Sequence, residues 1–360
     1  MKIVITGGHI TVALAVIEEL QKHPDVEILV IGRKYAVDHE STESFEYKLI
    51  TDRNIPFVHL PAGRLTRTFS IYSLISILKF PIGFIKAYSI LKSENPDYVL
   101  SFGGYIALPV AIGAYVCGIP VVTHEQTMRP GLTNRLIAQL AKKVLISFKE
   151  TEPYFPSKKT ILTGNPVRAF IYKTSHQDTS RPILLILGGS LGSHSINLHI
   201  EKLLEELTKT FTVIHQTGNV AQYNDYGRLK KKESESYKLF EHLDDAQLAM
   251  YYAQSAIVVS RAGANTVCEL IALQKPSVLI PLPWAANNEQ QAQADFMQHS
   301  GVSESFNQNQ ESLVLLQKIL SVHSKSEVYR KNFDHLREQR ALNAHAARII
   351  AQQLLHEKNS

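Results

Sequence analysis

Short runs rich in β-branched residues alternate with helix-period patterns along the whole of this chain, and that alternation leaves few folds open. Strands each followed by a helix pair in parallel, and a parallel sheet must be covered by those helices on both faces. Lys2 to Thr6, Glu27 to Ile31, Phe57 to Leu60, Tyr98 to Phe102, Pro120 to Thr123, Val144 to Ser147 and Thr160 to Thr163 read as strands. After a polar stretch from Lys173 to Arg181 a second series follows: Ile183 to Leu187, Phe211 to Gln216, Tyr237 to Leu243, Ala256 to Ser260 and Ser277 to Pro281. Each series opens with a strand that runs into glycines, Gly7-Gly8 in one and Gly188-Gly189-Ser190-Leu191-Gly192 in the other. The pattern is a weak internal repeat of two Rossmann-like α/β halves, and 360 residues exceed what one core fills. A last helical pattern, Ala341 to Leu355, is expected to pack back on the first half.

Composition excludes several classes. With 44% hydrophobic and 20% charged residues the balance is that of a globular protein. A formal charge of +5, with no basic residues interleaved among stacking aromatics, does not describe a nucleic-acid platform. Cys117 and Cys268 both fall in helical, largely apolar patterns, so they read as reduced core thiols, and no metal cluster is visible. Met1 runs directly into the first strand without a charged n-region and apolar h-region, so export is not expected.

Between Asn54 and Ser93 there is no Asp or Glu, while Arg64, Arg67, Lys79, Lys86 and Lys92 punctuate an apolar run. A spanning helix needs ~20 mostly apolar residues, and Lys79, Pro81 and Gly83 interrupt this one. Docking on an anionic membrane surface, cations outward and Leu, Ile and Phe inserted, fits the pattern. The structural alternative is two buried helices joined at Pro81.

In open α/β sheets ligands gather beyond the carboxyl ends of the strands, so the strand-to-helix turns are the places to search. The most informative runs from Ser260 to Glu269, where an apolar strand passes through Gly263 into a helix that reads as ending at Pro276. Unpaired N–H groups and the positive end of the macrodipole make such a start an anion site for a phosphate or diphosphate. Glu269, one turn inside, can accept hydrogen bonds from sugar hydroxyls. Thr6-Gly7-Gly8-His9 carries a histidine to the head of the next helix, where an imidazole can take a proton from a hydroxyl; a histidine that merely caps its helix is the plain alternative. Ser101-Phe102-Gly103-Gly104-Tyr105 and Thr123-His124-Glu125-Gln126-Thr127 also fall at strand ends, each as apt to bond within its own loop as to serve a ligand. The glycine-rich loop at 188–192 lacks the Lys-Ser/Thr of a Walker motif, which disfavours an ATPase. Asn287-Asn288-Glu289-Gln290-Gln291 opens a polar helix whose amides can read sugar hydroxyls or an acetamido group. No Asp-x-Asp pair stands at a strand end to hold Mg²⁺ on a diphosphate, which leaves the leaving group to the helix at Gly263.

Taken in order, these pieces resemble the MurG-type glycosyltransferases over nearly the whole length. The matching runs are Thr-Gly-Gly-His at 6–9, Ser-Phe-Gly-Gly-Tyr at 101–105, His-Glu-Gln at 124–126 with Pro-Gly-Leu-Thr-Asn at 130–134, and Gly164-Asn165-Pro166-Val167-Arg168. Gly-Gly-Ser-x-Gly at 188–192, His215-Gln216-Thr217-Gly218 and the 260–269 segment complete them. The resemblance implies the GT-B architecture, two Rossmann-like domains with parallel sheets facing across a cleft: residues 1–166 for the acceptor and membrane, 167–338 for UDP-GlcNAc, and 339–360 as a returning helix. It implies transfer of GlcNAc from UDP-GlcNAc to a polyprenyl-diphosphate muramyl-pentapeptide, inverting and without metal or cofactor, at the cytoplasmic face of the plasma (inner) membrane. By motif, His9 is the implied base. Thr6, Gly7, Gly8, Thr127, Arg168, Ser190, Leu243, Ala264, Asn265, Thr266, Val267, Cys268, Glu269 and Gln290 are implied on the donor side, with Glu269 on the ribose. Gly103, Gly104, Tyr105, His124, Glu125 and Gln126 are implied on the acceptor side, and the first loop is also expected to hold the acceptor diphosphate.

The chain departs from the family pattern in three places. Its first glycine loop is short, Thr127 stands where Asn is usual, and Glu289 precedes Gln290 where a neutral or basic residue is usual. The alternatives are a GT-B enzyme with another lipid acceptor, a UDP-GlcNAc 2-epimerase, and a non-catalytic protein that binds UDP-sugar and lipid.

Overall fold

The computed structural model describes the chain except residues 7, 36–42, 62–70, 169, 172–173, 190–191, 220–221, 341–344 and 356–360, and gives only the backbone at 45, 71–79 and 337–340. The chain forms two compact units, Met1–Arg168 together with His345–Ser360, and Ala169–Ala344.

The first unit runs β1 (Lys2–Thr6), α1 (Ile10–Leu20), β2 (Glu27–Gly32), α2 (Phe45–Thr51), β3 (Phe57–His59), α3 (Ile71–Glu94), β4 (Tyr98–Ser101), α4 (Ala107–Val116), β5 (Val121–Glu125), α5 (Leu132–Leu140), β6 (Lys143–Ile146) and β7 (Thr160–Leu162). Its strands pair in parallel in the order β3-β2-β1-β4-β5-β6-β7. Because successive side chains in a strand point to opposite faces, the sheet feeds two cores. Val4, Val99, Val121 and Val144 pack with Leu91 of α3, Val110 of α4 and Ile137 of α5. Ile3, Ile5, Leu100 and Val122 pack with Val12, Val16 and Leu20 of α1. Each such side chain taken fully from water is worth roughly 1.5–3 kcal/mol.

The second unit runs β8 (Ile183–Leu187), α6 (His194–Thr210), β9 (Thr212–Gln216), α7 (Asp225–Lys230), β10 (Tyr237–Phe240), α8 (Asp245–Gln254), β11 (Ser255–Ser260), α9 (Ala264–Ala272), β12 (Ser277–Leu279), α10 (Glu289–His299), β13 (Ser303–Ser305), α11 (Ser312–Ser324) and α12 (Ser326–Arg340). Its parallel order is β10-β9-β8-β11-β12-β13. The final helix, α13 (Ala346–Leu355), contributes Ile350 and Leu354 to the α1 core of the first unit.

Three details differ from the sequence reading. The helix after Gly263 stops at Ala272, short of Pro276, and Gln274 then takes a left-handed φ of 52°. β13 falls in a stretch where no strand pattern was evident, since Ser-Glu-Ser carries no apolar alternation and lies at the sheet edge. The apolar run does not break at Pro81: α3 continues through it, the residue itself being exposed while Gly83, Ala87 and Leu91 on the opposite side are buried. The lost hydrogen bond is offset by packing on α4, where Gly113 lies so close that a Cβ would meet Leu91 and the Tyr88 backbone at 3.3 Å.

Each sheet reverses its strand order once, between β1 and β4 and between β8 and β11, and the glycine loops lie there. A Cβ on Gly104 would come 3.0 Å from the Gly8 Cα, and Gly104 has a φ of +84°. In the second unit a Cβ on Gly192, at φ +82°, would overlap the Thr217 carbonyl and come 2.6 Å from the Gly218 Cα. Gly189 is also left-handed, at φ +84°, but has open space where a Cβ would sit. Gly192→Ala should therefore cost about 3 kcal/mol or more, backbone strain and overlap together, and Gly189→Ala about 1 kcal/mol from strain alone. Urea denaturation of the two variants measures the difference, and equal losses would remove the overlap argument.

Candidate functional site

In the first unit the carboxyl ends of β1, β4 and β5 carry the predicted residues. Thr6 ends β1 fully buried, on the face toward α4 and α5, and its hydroxyl has no partner among the described residues. Gly7 lies outside the described residues, and Gly8 is exposed. His9 occupies the N-cap position of α1, and its carbonyl accepts from the N–H groups of Val12 and Ala13, yet its side chain makes no capping bond. The capping alternative thus accounts for its backbone and leaves its imidazole to other use. Desolvation by the surrounding protein lowers this imidazole to about 4, although the ring is exposed. Water that reaches the ring hydrates the imidazolium, so we place its pKa between that value and the ordinary 6.5.

Glu125, at the end of β5, is buried in a closed set of donors. It accepts from the Thr127 backbone N–H at 2.9 Å and hydroxyl at 2.8 Å, from the Asn134 amide at 2.9 Å, and from the Gly131 backbone. Burial pushes its carboxyl above the usual range while those donors hold it down. Glu125 therefore ties residues 127–134 to the sheet and serves as a positioning group. Asn134 also donates to the His124 carbonyl at 3.3 Å and lies against Gly103, where a Cβ would come within 2.7 Å of its amide oxygen. Thr127, the departure from the family pattern, closes this network with a hydroxyl that reaches both Glu125 and the Arg129 carbonyl. Tyr105 is half-buried against the α3–α4 core. His124 and Gln126 are buried. Arg168, half-buried, ends the unit.

In the second unit the turn from β11 into α9 has no side-chain cap, because its N-cap residue is Gly263. The Val267 N–H already donates to the Gly263 carbonyl at 2.9 Å, and the Val267 and Cys268 side chains face the core. Of the predicted stretch 264–269, the first turn at Ala264, Asn265 and Thr266 is thus the part turned toward an anion. Glu269 is buried, and one carboxylate oxygen accepts from the Tyr252 hydroxyl at 3.1 Å, a contact that fixes its orientation. Ser190 lies outside the described residues. Leu243 is buried and donates its N–H to Gln216 Oε1, while Gln216 Nε2 donates to the Gly189 carbonyl. Gln290 is half-buried and accepts from the Leu282 N–H at 3.0 Å, so its amide oxygen holds the Pro281–Pro283 turn.

The sequence reading passed over three residues that position these loops. Arg261 donates to the hydroxyls of Ser193 and Ser195, to Gln308 and to the Ile280 carbonyl, joining the exit of the glycine loop to the start of α9. Burial lowers its guanidinium to about 10, which leaves it charged at neutral pH. Gln216 and Asn134 stood within quoted motifs, His215-Gln216-Thr217-Gly218 and 130–134, and that membership was the available signal. Among the described residues no group of three or more His, Cys, Asp or Glu is placed to hold a metal ion. Thr127→Val should cost about 1–2 kcal/mol in denaturant melts, because it leaves Glu125 and the Arg129 carbonyl short of a donor in a buried network; an unchanged midpoint would sink the strut reading of Glu125.

Comparison with known proteins places this geometry. Residues 4–146 match the glycosyltransferase family 28 N-terminal domain and residues 183–353 the glycosyltransferase family 28 C-terminal domain. A relative from Treponema denticola is 37% identical over 317 residues, covering 83% of this chain and 81% of its own, and one from Clostridium novyi is 35% identical over 354 residues, covering 92% and 93%. Both are named UDP-N-acetylglucosamine--N-acetylmuramyl-(pentapeptide) pyrophosphoryl-undecaprenol N-acetylglucosamine transferase. Among solved structures, MurG of Acinetobacter baumannii superposes with a TM-score of 0.76 at 24% identity over 99% of both chains. A UDP-GlcNAc 2-epimerase from Neisseria meningitidis gives 0.65 at 18% identity, over 99% of this chain and 100% of its own. These likenesses show a shared GT-B fold. The chain belongs to glycosyltransferase family 28 and, within it, to the MurG-type N-acetylglucosaminyltransferases.

Proposed function

We propose that this enzyme transfers GlcNAc from UDP-GlcNAc to the muramyl sugar of a polyprenyl-diphosphate MurNAc-pentapeptide, lipid I to lipid II, in peptidoglycan synthesis, and thereby serves cell shape and division. The observation that carries this reading is the identity of 37% over 83% of the chain to a relative with that printed activity. The geometry supports it. An acceptor hydroxyl attacks the anomeric carbon of GlcNAc while the bond to the diphosphate oxygen breaks, a single displacement that inverts the centre. His9, uncapped and reachable by solvent, takes the hydroxyl proton. The first turn of α9 receives the negative charge that develops on UDP, so transfer proceeds without a metal. Glu269, aimed by Tyr252, accepts from ribose hydroxyls.

The test is transfer of radiolabelled GlcNAc from UDP-GlcNAc to a short-chain polyprenyl-diphosphate muramyl-pentapeptide with EDTA present. His9→Ala and Glu269→Ala should each lower the rate at least about 10²-fold, and full activity in His9→Ala would remove the base assignment. The reactive form of His9 is neutral, and its pKa is depressed, so kcat/KM should hold through neutral pH. It should fall as pH drops through a value between about 4 and 6.5, the range set by burial and exposure together. An acid limb that persists in His9→Ala would assign that titration elsewhere. Formation of the epimerised sugar nucleotide from UDP-GlcNAc alone would favour the 2-epimerase reading.

The same proposal places the enzyme at the cytoplasmic face of the plasma membrane. No helix among the described residues is long and apolar enough to cross a membrane. Ile82 and Ile85 of α3 are 53% and 63% exposed, with Lys86 and Lys92 exposed on the same helix and no acid before Glu94. Arg64 and Arg67 lie outside the described residues, as does the Lys79 side chain. The protein should co-sediment with phosphatidylglycerol vesicles in low salt and less in high salt. The double change Ile82→Asp with Ile85→Asp should release it, and binding unchanged by that double change would exclude this face of α3.

A further inference from the structure

The buried histidine of β5 has a proton arrangement that its surroundings determine. His124 alternates along the strand with Val122, whose side chain packs with Ile5, Leu100 and Phe102 on the α1 face of the sheet. Its ring lies 5.7 Å from that of Phe102, centre to centre, and the charge of His9, at the head of α1, acts on it. Nε2 lies 3.1 Å from the Gly164 carbonyl oxygen. A carbonyl only accepts, so Nε2 carries the hydrogen. Ser147 adds a second argument: its hydroxyl donates to Asn165 Oδ1 at 3.3 Å, so toward His124 Nε2, 3.3 Å away, its oxygen is also an acceptor. Burial lowers the ring to about 4, against the opposing pull of the Gly164 bond, so it is neutral at physiological pH. A neutral imidazole with its hydrogen on Nε2 presents a bare lone pair at Nδ1.

That lone pair is buried and has no partner among the described residues, and the same holds for the side-chain oxygen of Gln126, two residues along. An unmet buried acceptor costs about 1–3 kcal/mol. Two of them at the carboxyl end of one strand, where ligands of this fold bind, call for a group that brings hydrogens. A phosphate or carboxylate brings none and is repelled by a lone pair.

We propose that His124 is a tautomer-locked hydrogen-bond acceptor that, with the Gln126 oxygen, reads a hydroxyl or amide N–H of the muramyl-peptide acceptor, and that the acceptor diphosphate is held elsewhere. The proposal rests on the transfer reaction set out above. It gives His124 a binding role and leaves proton transfer to His9.

Two variants separate the two ring nitrogens. His124→Gln places an amide nitrogen near the Nε2 position, where it can still donate to Gly164, and removes the Nδ1 acceptor. His124→Asn places an amide oxygen near Nδ1 and gives up the Gly164 bond. With the short-chain polyprenyl-diphosphate muramyl-pentapeptide as acceptor, His124→Gln should raise the acceptor KM about tenfold, the loss of one hydrogen bond. It should leave the UDP-GlcNAc KM unchanged and the acid limb of the pH profile in place, while His124→Asn should recover part of the acceptor KM. An unchanged acceptor KM in His124→Gln overturns the proposal, as does a rise in the donor KM alone.

Nitrogen-15 NMR of histidine-labelled wild type needs neither variant folding nor turnover. The His124 Nδ1 resonance should lie in the unprotonated range and move when the same acceptor saturates the protein. A protonated Nδ1, or a resonance the acceptor leaves in place, overturns the proposal. Wild type that transfers no GlcNAc, yet whose Nδ1 responds to the acceptor, would sink the reaction and leave the recognition standing.

Discussion

Backbone meets backbone where each sheet reverses its strand order, and the rest of the structure is arranged around that approach. Gly8 faces Gly104 across the β1–β4 gap, and Gly192 lies against Thr217 and Gly218 across β8 and β9. No side chain fits at these contacts, so the loops are held from outside by groups that bond to them. Gln216 reaches the Gly189 carbonyl, Arg261 reaches Ser193 and Ser195, and Asn134 reaches the strand that ends at Glu125. The strand ends are therefore preorganised by buried polar networks, whose members lose more when half satisfied than when absent.

Much of the fold was legible because both sheets are parallel and covered, which turns their strands into dense β-branched runs. β1 and β8 appear with the bounds read from sequence. β13 was illegible for the converse reason: Ser303, Glu304 and Ser305 are strand because β12 pairs with them and the edge is open to water, and nothing in their side chains asks for it. Pro81 misled in another way. The rule that proline ends a helix is local, whereas the α3–α4 contact at Gly113 and Leu91 acts across more than twenty residues and prevails.

The candidate site was legible as motifs and illegible as roles. Sequence places Glu125 and His124 side by side, and only the folded network distinguishes them, one saturated by donors from Thr127, Gly131 and Asn134, the other left with an open acceptor. Thr127 looked like the loss of an amide; in the fold its hydroxyl and N–H supply Glu125 with two donors. Arg261 and Tyr252 were invisible because their partners, Ser193, Ser195, Gln308 and Glu269, come from distant segments.

The two units offer opposite chemistry at their strand ends. The second unit presents the first-turn N–H groups of α9 beside a charged Arg261, donors that suit an anion and gain from its charge. The first unit presents acceptors, the His124 lone pair and the Gln126 oxygen, around an imidazole kept neutral by burial. A nucleoside diphosphate bound at the acceptor-rich end would leave those lone pairs unmet and add repulsion. A polyhydroxy or amide-bearing ligand at the donor-rich end would leave the macrodipole without a counter-charge. For a transferase with one anionic and one largely neutral recognition face, that polarity alone sorts the substrates, before any shape complementarity acts.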